Sequence, residues 1–520
     1  MIGIPDLSGA PNLKQLILQR CTRLYKIHAS LGDLKRLIRL DLNGCKRLES
    51  LPHKINLEAL EFFNLSGCSK MKKFPDIVEN MPCLSKLYLS ETAIKDLSLL
   101  VIHSTGLTEL HLRDCKNLSS LPIAICSLMS LKTLNLSGCS KLDELPENLR
   151  KIEGLEQLDL SGTAITGLPS SIVYLKNLKV LSLFGCVLSS NKLTRFPLMQ
   201  PRRSPDPKRM QERSLIGLCS LTELDLGYCN LQTIPDVLVC LSSLESLNLR
   251  GNKFVCLPEC ITQLSNLRWL NVGGCTHLRM LPELPLDILS IDATKCTSLE
   301  RLPLRTEFNF CPEFCLLGCN KLIKNRDYSD LFSTMLRRYI MNSMFHDWCD
   351  DDGYRLTIPG SEIPKCFSHQ NVGGSVNLQV PSDLFRNKLM GIAVCAVLVF
   401  RKHDQGDLEC SLNGSAGSCD IFSKEFGKIE SYQLWLQYYS SKYLADWEEI
   451  LDNVDANGFS QIEVKFESFG LEVMKCGAQL VSERDIEDLI NQTKAGPSSC
   501  IITPYDEEGF DDSEKDTKIK

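Results

Sequence analysis

The phrase Leu-x-x-Leu-x-Leu-x-x-Cys-x-x-Leu-x-x-Leu-Pro recurs in this chain, starting at Leu37, Leu60, Leu84, Leu107, Leu131, Leu155, Leu178, Leu221, Leu244 and Leu267. The starts lie about 23 or 24 residues apart, with one long gap, a period that belongs to solenoids of stacked repeats. In each unit the alternation Leu-x-Leu, as in Leu134-Asn135-Leu136, reads as a short strand with its leucines inward and the middle residue outward. One unit cannot bury its own leucines. Each neighbour covers part of them, at roughly 1.5–3 kcal/mol per fully buried side chain, so stability comes from the stack. The Leu-Pro pairs at Leu51-Pro52, Leu121-Pro122, Leu145-Pro146, Leu168-Pro169 and Leu281-Pro282 keep the chain out of regular helix and turn it back across the convex side.

A length of 520 residues would ordinarily mean several domains, but a solenoid spends length without adding any, and two structural units are expected. The net charge of -6 gives no general attraction to nucleic acid, which is not expected as a partner. No run of ~18 apolar residues is present, and Met1-Ile2-Gly3-Ile4-Pro5-Asp6 has neither a basic start nor an apolar core. No membrane association and a cytoplasmic location are the expectation. Leu13, Leu16, Leu18, Cys21 and Leu24 already form a repeat with no capping segment before it. The chain therefore reads as the C-terminal part of something longer, or as a truncated gene product.

The 25 cysteines would suggest a disulfide framework in a small secreted protein. Here Cys21, Cys45, Cys68, Cys115, Cys139, Cys186, Cys229 and Cys275 occupy one repeat position, which Thr92, Thr163 and Asn252 fill elsewhere. A small inward side chain able to bond nearby backbone satisfies that position, so a ladder of free thiols in a reducing compartment is expected.

The period breaks at about residues 189–214, where Lys192, Arg195, Arg202, Arg203, Lys208, Arg209 and Arg213 mix with prolines. Too few apolar residues are present to form a core, so a projecting loop is expected, either simply solvated or serving as a nuclear import signal or anionic contact. The solenoid is assigned to residues 1–310. A linker over 311–353 follows, with Leu331, Phe332, Met335, Leu336, Tyr339 and Ile340 at helical spacing, a helix expected to cap the open end of the core. Cys311, Cys315 and Cys319 have metal-like spacing, but they lack a fourth ligand and sit among Phe and Leu, which favours a core role.

From Tyr354 the texture changes. Val376 to Val380 alternates, Gly391 to Phe400 is almost continuously apolar, and Tyr432 to Tyr439, Ile462 to Phe466 and Val473 to Val481 add further strands between turn residues. Residues 354–485 are expected to form an antiparallel sandwich, and the acidic segment 486–520 a disordered tail.

These repeats, with cysteine at the ladder position and Leu-Pro at the close, resemble those of plant intracellular immune receptors of the TIR, nucleotide-binding, leucine-rich-repeat class. Ile358-Pro359-Gly360-Ser361-Glu362-Ile363-Pro364-Lys365-Cys366-Phe367-Ser368-His369, then Met390 to Cys395 and Lys475-Cys476-Gly477-Ala478, resemble their post-repeat jelly-roll module, C-JID. Members of that family usually carry Trp where this chain has Cys366. The resemblance implies an α/β leucine-rich-repeat solenoid followed by an all-β jelly-roll-like sandwich. It also implies that the two parts sense a pathogen effector protein and restrain the nucleotide-binding switch of a complete receptor. A stand-alone interaction scaffold or decoy is the alternative. Neither a TIR-like segment nor a Gly-x-x-x-x-Gly-Lys-Ser/Thr phosphate loop is present in these residues, so no nucleotide or NAD chemistry and no cofactor is assigned to them.

Catalysis is not expected: Cys366 and His369 fall on opposite faces of an extended segment, with no third group to orient them. Recognition is assigned instead to the outward columns, where Asp41, Asn64, Tyr88, His111, Asn135, Asp159, Ser182, Asp225, Asn248 and Asn271 stand between the strand leucines. Tyr88, His111, Arg113, Asp159, Phe184, Asp225, Arg250 and Trp269 are the expected binding residues, since Trp, Tyr and Arg carry most of the energy at protein interfaces.

Overall fold

A computed structural model describes residues 2–77, 81–97, 104, 106–188, 218–234, 238, 240–302, 312–322, 354–381, 389–400, 405–414, 418–427, 431–440, 459–482 and 485. The basic insertion, the helical spacing at 331–340, Cys311 and the acidic tail lie outside the described residues.

The Leu-x-Leu segments form one parallel ladder. Its strands are β1 (Gln15–Ile17), β2 (Arg39–Asp41), β3 (Phe62–Asn64), β4 (Lys86–Tyr88), β5 (Glu109–His111), β6 (Thr133–Asn135) and β7 (Gln157–Asp159). The ladder continues through β8 (Val180–Ser182), β9 (Glu223–Asp225), β10 (Ser246–Asn248), β11 (Trp269–Asn271), β12 (Ser290–Asp292) and β13 (Glu313–Cys315). Each strand pairs in register with the next, so Leu134 lies beside Leu110 and Leu158. Leu181 of β8 sits directly beside Leu224 of β9, so the insertion leaves the ladder unbroken.

On the convex side several of the described returns are 3-10 turns, as at Ile123–Ser127, Ser170–Tyr174 and Glu259–Gln263, and others are short parallel strands, as at Lys54–Ile55 and Asp76–Ile77. Pro122, Pro169 and Pro258 stand at their N-caps, where a fixed φ and a missing N–H suit the start of a turn. Between strand and ladder cysteine the backbone must enter the left-handed region. Gly138 does so at φ 73°, and an added Cβ there would lie 2.5 Å from Asp114 Oδ1.

From Cys45 onward the ladder cysteines are buried, and each donates its S–H to a carbonyl one repeat back. Cys139 Sγ lies 3.1 Å from Leu112 O, Cys186 Sγ 3.1 Å from Leu160 O and Cys229 Sγ 3.1 Å from Leu183 O. Asn252 makes the same link through Nδ2, 2.9 Å from Leu226 O. The position thus selects a small donor rather than sulfur as such.

The ladder does not stop at residue 310. Phe314 takes the inward strand position in β13, and Cys319 donates to Ala293 O at 3.1 Å, which accounts for the spacing of Cys315 and Cys319 as one more repeat. The next strand, β14 (Tyr354–Pro359), pairs parallel with β13, Leu356 lying beside Phe314. A strand therefore joins the end of the described ladder.

The remaining strands are β15 (His369–Val372), β16 (Ser375–Pro381), β17 (Leu389–Phe400), β18 (Gln405–Gly414), β19 (Ser418–Gly427), β20 (Gln433–Ser440), β21 (Phe459–Phe469) and β22 (Leu471–Ser482). Beyond β14 the sheet continues antiparallel in the order β20, β17, β22, β15. A second sheet, ordered β16, β21, β18, β19, faces it. In β17 alternate residues serve two cores. Ile392, Val394 and Ala396 pack against the second sheet with Trp435 and Val464, whereas Ala393, Cys395 and Val397 join Phe314, Leu316 and Leu356 in the core that runs through the solenoid. Burial on both faces is the reason β17 reads as a continuous apolar run.

Candidate protein-recognition surface

The concave face is the outer side of β1–β13. Its Asn and Asp column is less free than the sequence implies. Asn64, Asn135, Asp159, Asp225, Asn248, Asn271 and Asp292 each accept, through Oδ1, the backbone N–H two residues on, at 2.8 to 3.0 Å. These side chains turn the chain out of the strand, as Asx turns do. Asp41 stands in the same column, beside Asn64, but is fully buried, taking hydrogen bonds from Gln19 Nε2 and Arg39 Nη2 at 2.8 Å. Tyr88 and His111 cannot make that turn, and they do something else.

Tyr88 and His111 stack at 4.7 Å between ring centroids, 9° from parallel, and Phe62 packs against Tyr88 at 5.3 Å. The Arg39 guanidinium carbon lies 3.8 Å above the Phe62 ring. Glu109 accepts from Tyr88 Oη at 2.8 Å and pairs with Lys86 Nζ at 2.7 Å. Burial, then the Glu109 hydrogen bond, pushes the Tyr88 hydroxyl up to about 12. Burial holds the His111 imidazole below its usual range, against the raising influence of Glu109. Burial alone would raise Glu109, but the Lys86 and Tyr88 hydrogen bonds outweigh it and the carboxyl is lowered. Across β2–β5, then, the aromatic rings are half-buried against one another, and the strand carboxylates Asp41 and Glu109 each already have a cation.

Further along, β8–β12 line a shallow groove of about 460 Å³. Trp269, 48% exposed, stands in its wall, with Ser182, Ser246, Ser290, Asn248 and Asn271 beside it. Its carboxylates are Glu223, Asp225 and Asp292, and no Lys or Arg is among the described residues that line it. Burial raises the Asp225 carboxyl, opposed by the Gly227 N–H and the Asn248 side chain and reinforced by the negative charge of Asp159. Beside the groove Phe184 meets Tyr228 edge-on at 5.2 Å, and Arg250 approaches the Tyr228 ring at 5.9 Å.

The expected residues thus divide. Tyr88 and His111 belong to the aromatic stack, while Phe184, Asp225, Arg250 and Trp269 surround the groove. Arg113 is exposed and leans to Asp114 at 3.4 Å. Asp159 is held by Ser161 and Asn135 between the two patches. Sequence reasoning passed over Phe62, Glu109, Tyr228 and Asp292. Tyr228 carried a signal: it sits at φ 55° where most repeats place glycine, an unusual position for a bulky residue.

In the C-terminal motif, Ile363 and Phe367 are buried, Gly360 donates to Tyr432 O at 3.1 Å, and Glu362 pairs with Lys475 at 2.7 Å. Cys366 stands at the surface, so its departure from Trp opens no gap in the core.

The C-JID domain model matches residues 358–487, the model described as "Disease resistance protein RPS4B-like, leucine-rich repeats" matches 56–144, and a general leucine-rich-repeat model matches 208–254 and 219–278. TMV resistance protein N of Nicotiana glutinosa is 34% identical over 413 residues, 75% of this chain and 33% of that protein. Disease resistance-like protein DSC1 of Arabidopsis thaliana is 30% identical over 544 residues, 95% of this chain and 42% of that protein. The chain thus spans less than half the length of either relative. Among solved structures, a leucine-rich-repeat protein of Leptospira interrogans covers 56% of this chain and 70% of its own at 24% identity, with a TM-score of 0.41. Over most of its length, this chain consists of leucine-rich repeats and a C-JID domain that match those of plant TIR-NB-LRR disease resistance proteins.

Proposed function

We propose that this chain is the recognition module of a plant intracellular immune receptor, which binds a pathogen effector protein through the concave face and the adjoining sandwich. Leucine-rich repeats and C-JID are non-catalytic domain types, and binding is their chemistry. The observation that carries the reading is the Trp269 groove with its Phe184, Tyr228 and Arg250 border, mounted on a parallel sheet that runs without a break into the C-JID strands. Such side chains lose little conformational freedom on binding and are the usual anchors of protein interfaces. Where TIR and nucleotide-binding domains accompany the module, it restrains their switch until the effector binds. Its place of action is the cytoplasm, with the nucleus as a second site if the basic insertion directs import.

The test is binding of the purified chain to a panel of purified pathogen effectors by biolayer interferometry. Trp269→Ala and Arg250→Ala are each expected to weaken the bound effector by about 1–3 kcal/mol. Arg202→Ala with Arg203→Ala should change it far less. An effector bound equally well by Trp269→Ala, Arg250→Ala and Tyr88→Ala would place recognition off the concave face.

A further inference from the structure

Two patches share one sheet, and they differ in how their charges are settled. In the first, Asp41 has Arg39 at 2.8 Å and Glu109 has Lys86 at 2.7 Å, so little charge is left for a partner. In the second, Glu223, Asp225 and Asp292 line a groove whose described walls contain no cation, and burial and Asp159 both work against the ionised form of Asp225. Trp269, about half exposed, lines the same groove. The ring quadrupole and the carboxylates favour the same occupant, a cation with an apolar stem or a flat guanidinium.

Resting on the concave-face reading above, we propose that the β8–β12 groove receives an arginine or lysine side chain from a basic segment of the partner protein. The cation lies against Trp269 and neutralises the carboxylates of Glu223, Asp225 and Asp292, while the Ser and Asn side chains of the floor take the hydrogen bonds of the neighbouring backbone. The contact supplies partner choice: an acidic or neutral segment would leave the three carboxylates of the groove without a counter-ion. The repeat itself provides safe variants, because Asn248 and Asn271 make with an amide the same turn that Asp225 and Asp292 make with a carboxylate.

The experiment uses the full chain with fluorescein-labelled nona-arginine, nona-lysine and nona-glutamate peptides, read by fluorescence anisotropy. The variant Glu223→Gln/Asp225→Asn/Asp292→Asn is expected to lose at least tenfold in affinity for both basic peptides with its melting temperature kept. Convex-side Glu144→Gln/Glu147→Gln should bind as wild type, and nona-glutamate should not bind. Equal losses in the two variants, or none in the groove variant, would overturn the proposal. Tighter peptide binding after replacing the Lys and Arg residues of the insertion with Gln would also overturn it, because the groove's occupant would then be this chain itself. In the effector panel, sensitivity to Trp269→Ala without sensitivity to the triple variant sinks the basic-partner proposal and spares the concave reading. Insensitivity to both, and to Arg250→Ala and Tyr88→Ala, sinks the concave reading as well.

Discussion

Cys139 is buried and donates its S–H to Leu112 O, so its site demands a small side chain that can donate. Thr92, Thr163 and Asn252 meet that demand in other repeats. Cys139→Thr is therefore expected to cost under about 1 kcal/mol and Cys139→Ala about 1 kcal/mol. Cys139→Asp should cost about 4 kcal/mol or more, because it buries a charge with no counter-ion. Urea unfolding measures all three. Burial pushes the Cys68 and Cys229 thiols up to about 12, so they stay protonated and inert at pH 8. Iodoacetamide on the native protein should label exposed Cys83, Cys219, Cys240, Cys256 and Cys366 first, and early labelling of Cys68 or Cys229 would contradict the ladder. His111 works in the opposite direction. Its folded pKa lies below the unfolded value, so the unfolded chain binds the proton more readily and stability falls as pH drops from the ordinary histidine range towards the folded value. Urea midpoints at pH 7.5 and 5.5 should differ more for wild type than for His111→Phe.

At the scale of elements, β14 decides how the two halves behave. Its Leu356 is fully buried beside Phe314, and the solenoid core continues through it into Tyr438 and Cys395. Solenoid and sandwich should therefore melt together, in one calorimetric transition that Leu356→Asp lowers as a whole; two well-separated wild-type transitions would show independent units. The same contact changes how a truncation is read. Removing residues from 354 onward uncovers Phe314, Leu316 and Cys319 as well as deleting the sandwich, so lost binding in such a fragment reports lost folding too. Surface substitutions on the sandwich separate the two effects. Conversely, the isolated sandwich would lose the β13 partner of β14, an edge that its own strands cannot supply.

Across the whole molecule, the concave face is a graded surface, aromatic and internally neutralised over β2–β5, then acidic over β8–β12. Tyr88 is fixed from both sides, by the His111 stack and by Glu109, so Tyr88→Phe should keep the stack and lose about 1 kcal/mol of stability with the hydrogen bond, measurable in urea. The outward columns were only half legible in the sequence. Period placed them on the concave face, but Asn135, Asp159 and Asn248 spend an oxygen on the turn that follows them, and a side chain's partners are not visible in a repeat count. The groove was less visible still. It requires Glu223 and Asp292 to line one groove across β9–β12, and it requires that no Lys or Arg line it among the described residues.

The repeat determined most of the fold because leucine spacing is a local code: every unit solves the same burial problem with its neighbour, and the solution propagates. Cysteine ladder, strand register and proline-started turns follow from about 23 residues read over and over. What the sequence left open lies wherever the periodicity ends. That β13 hands over to β14, that β17 serves two cores, and that Asp41 is buried while Trp269 is exposed depend on contacts between residues far apart in the chain or on the settling of charge within one patch. Such contacts form only when the sheets are assembled, and tertiary packing alone decided them.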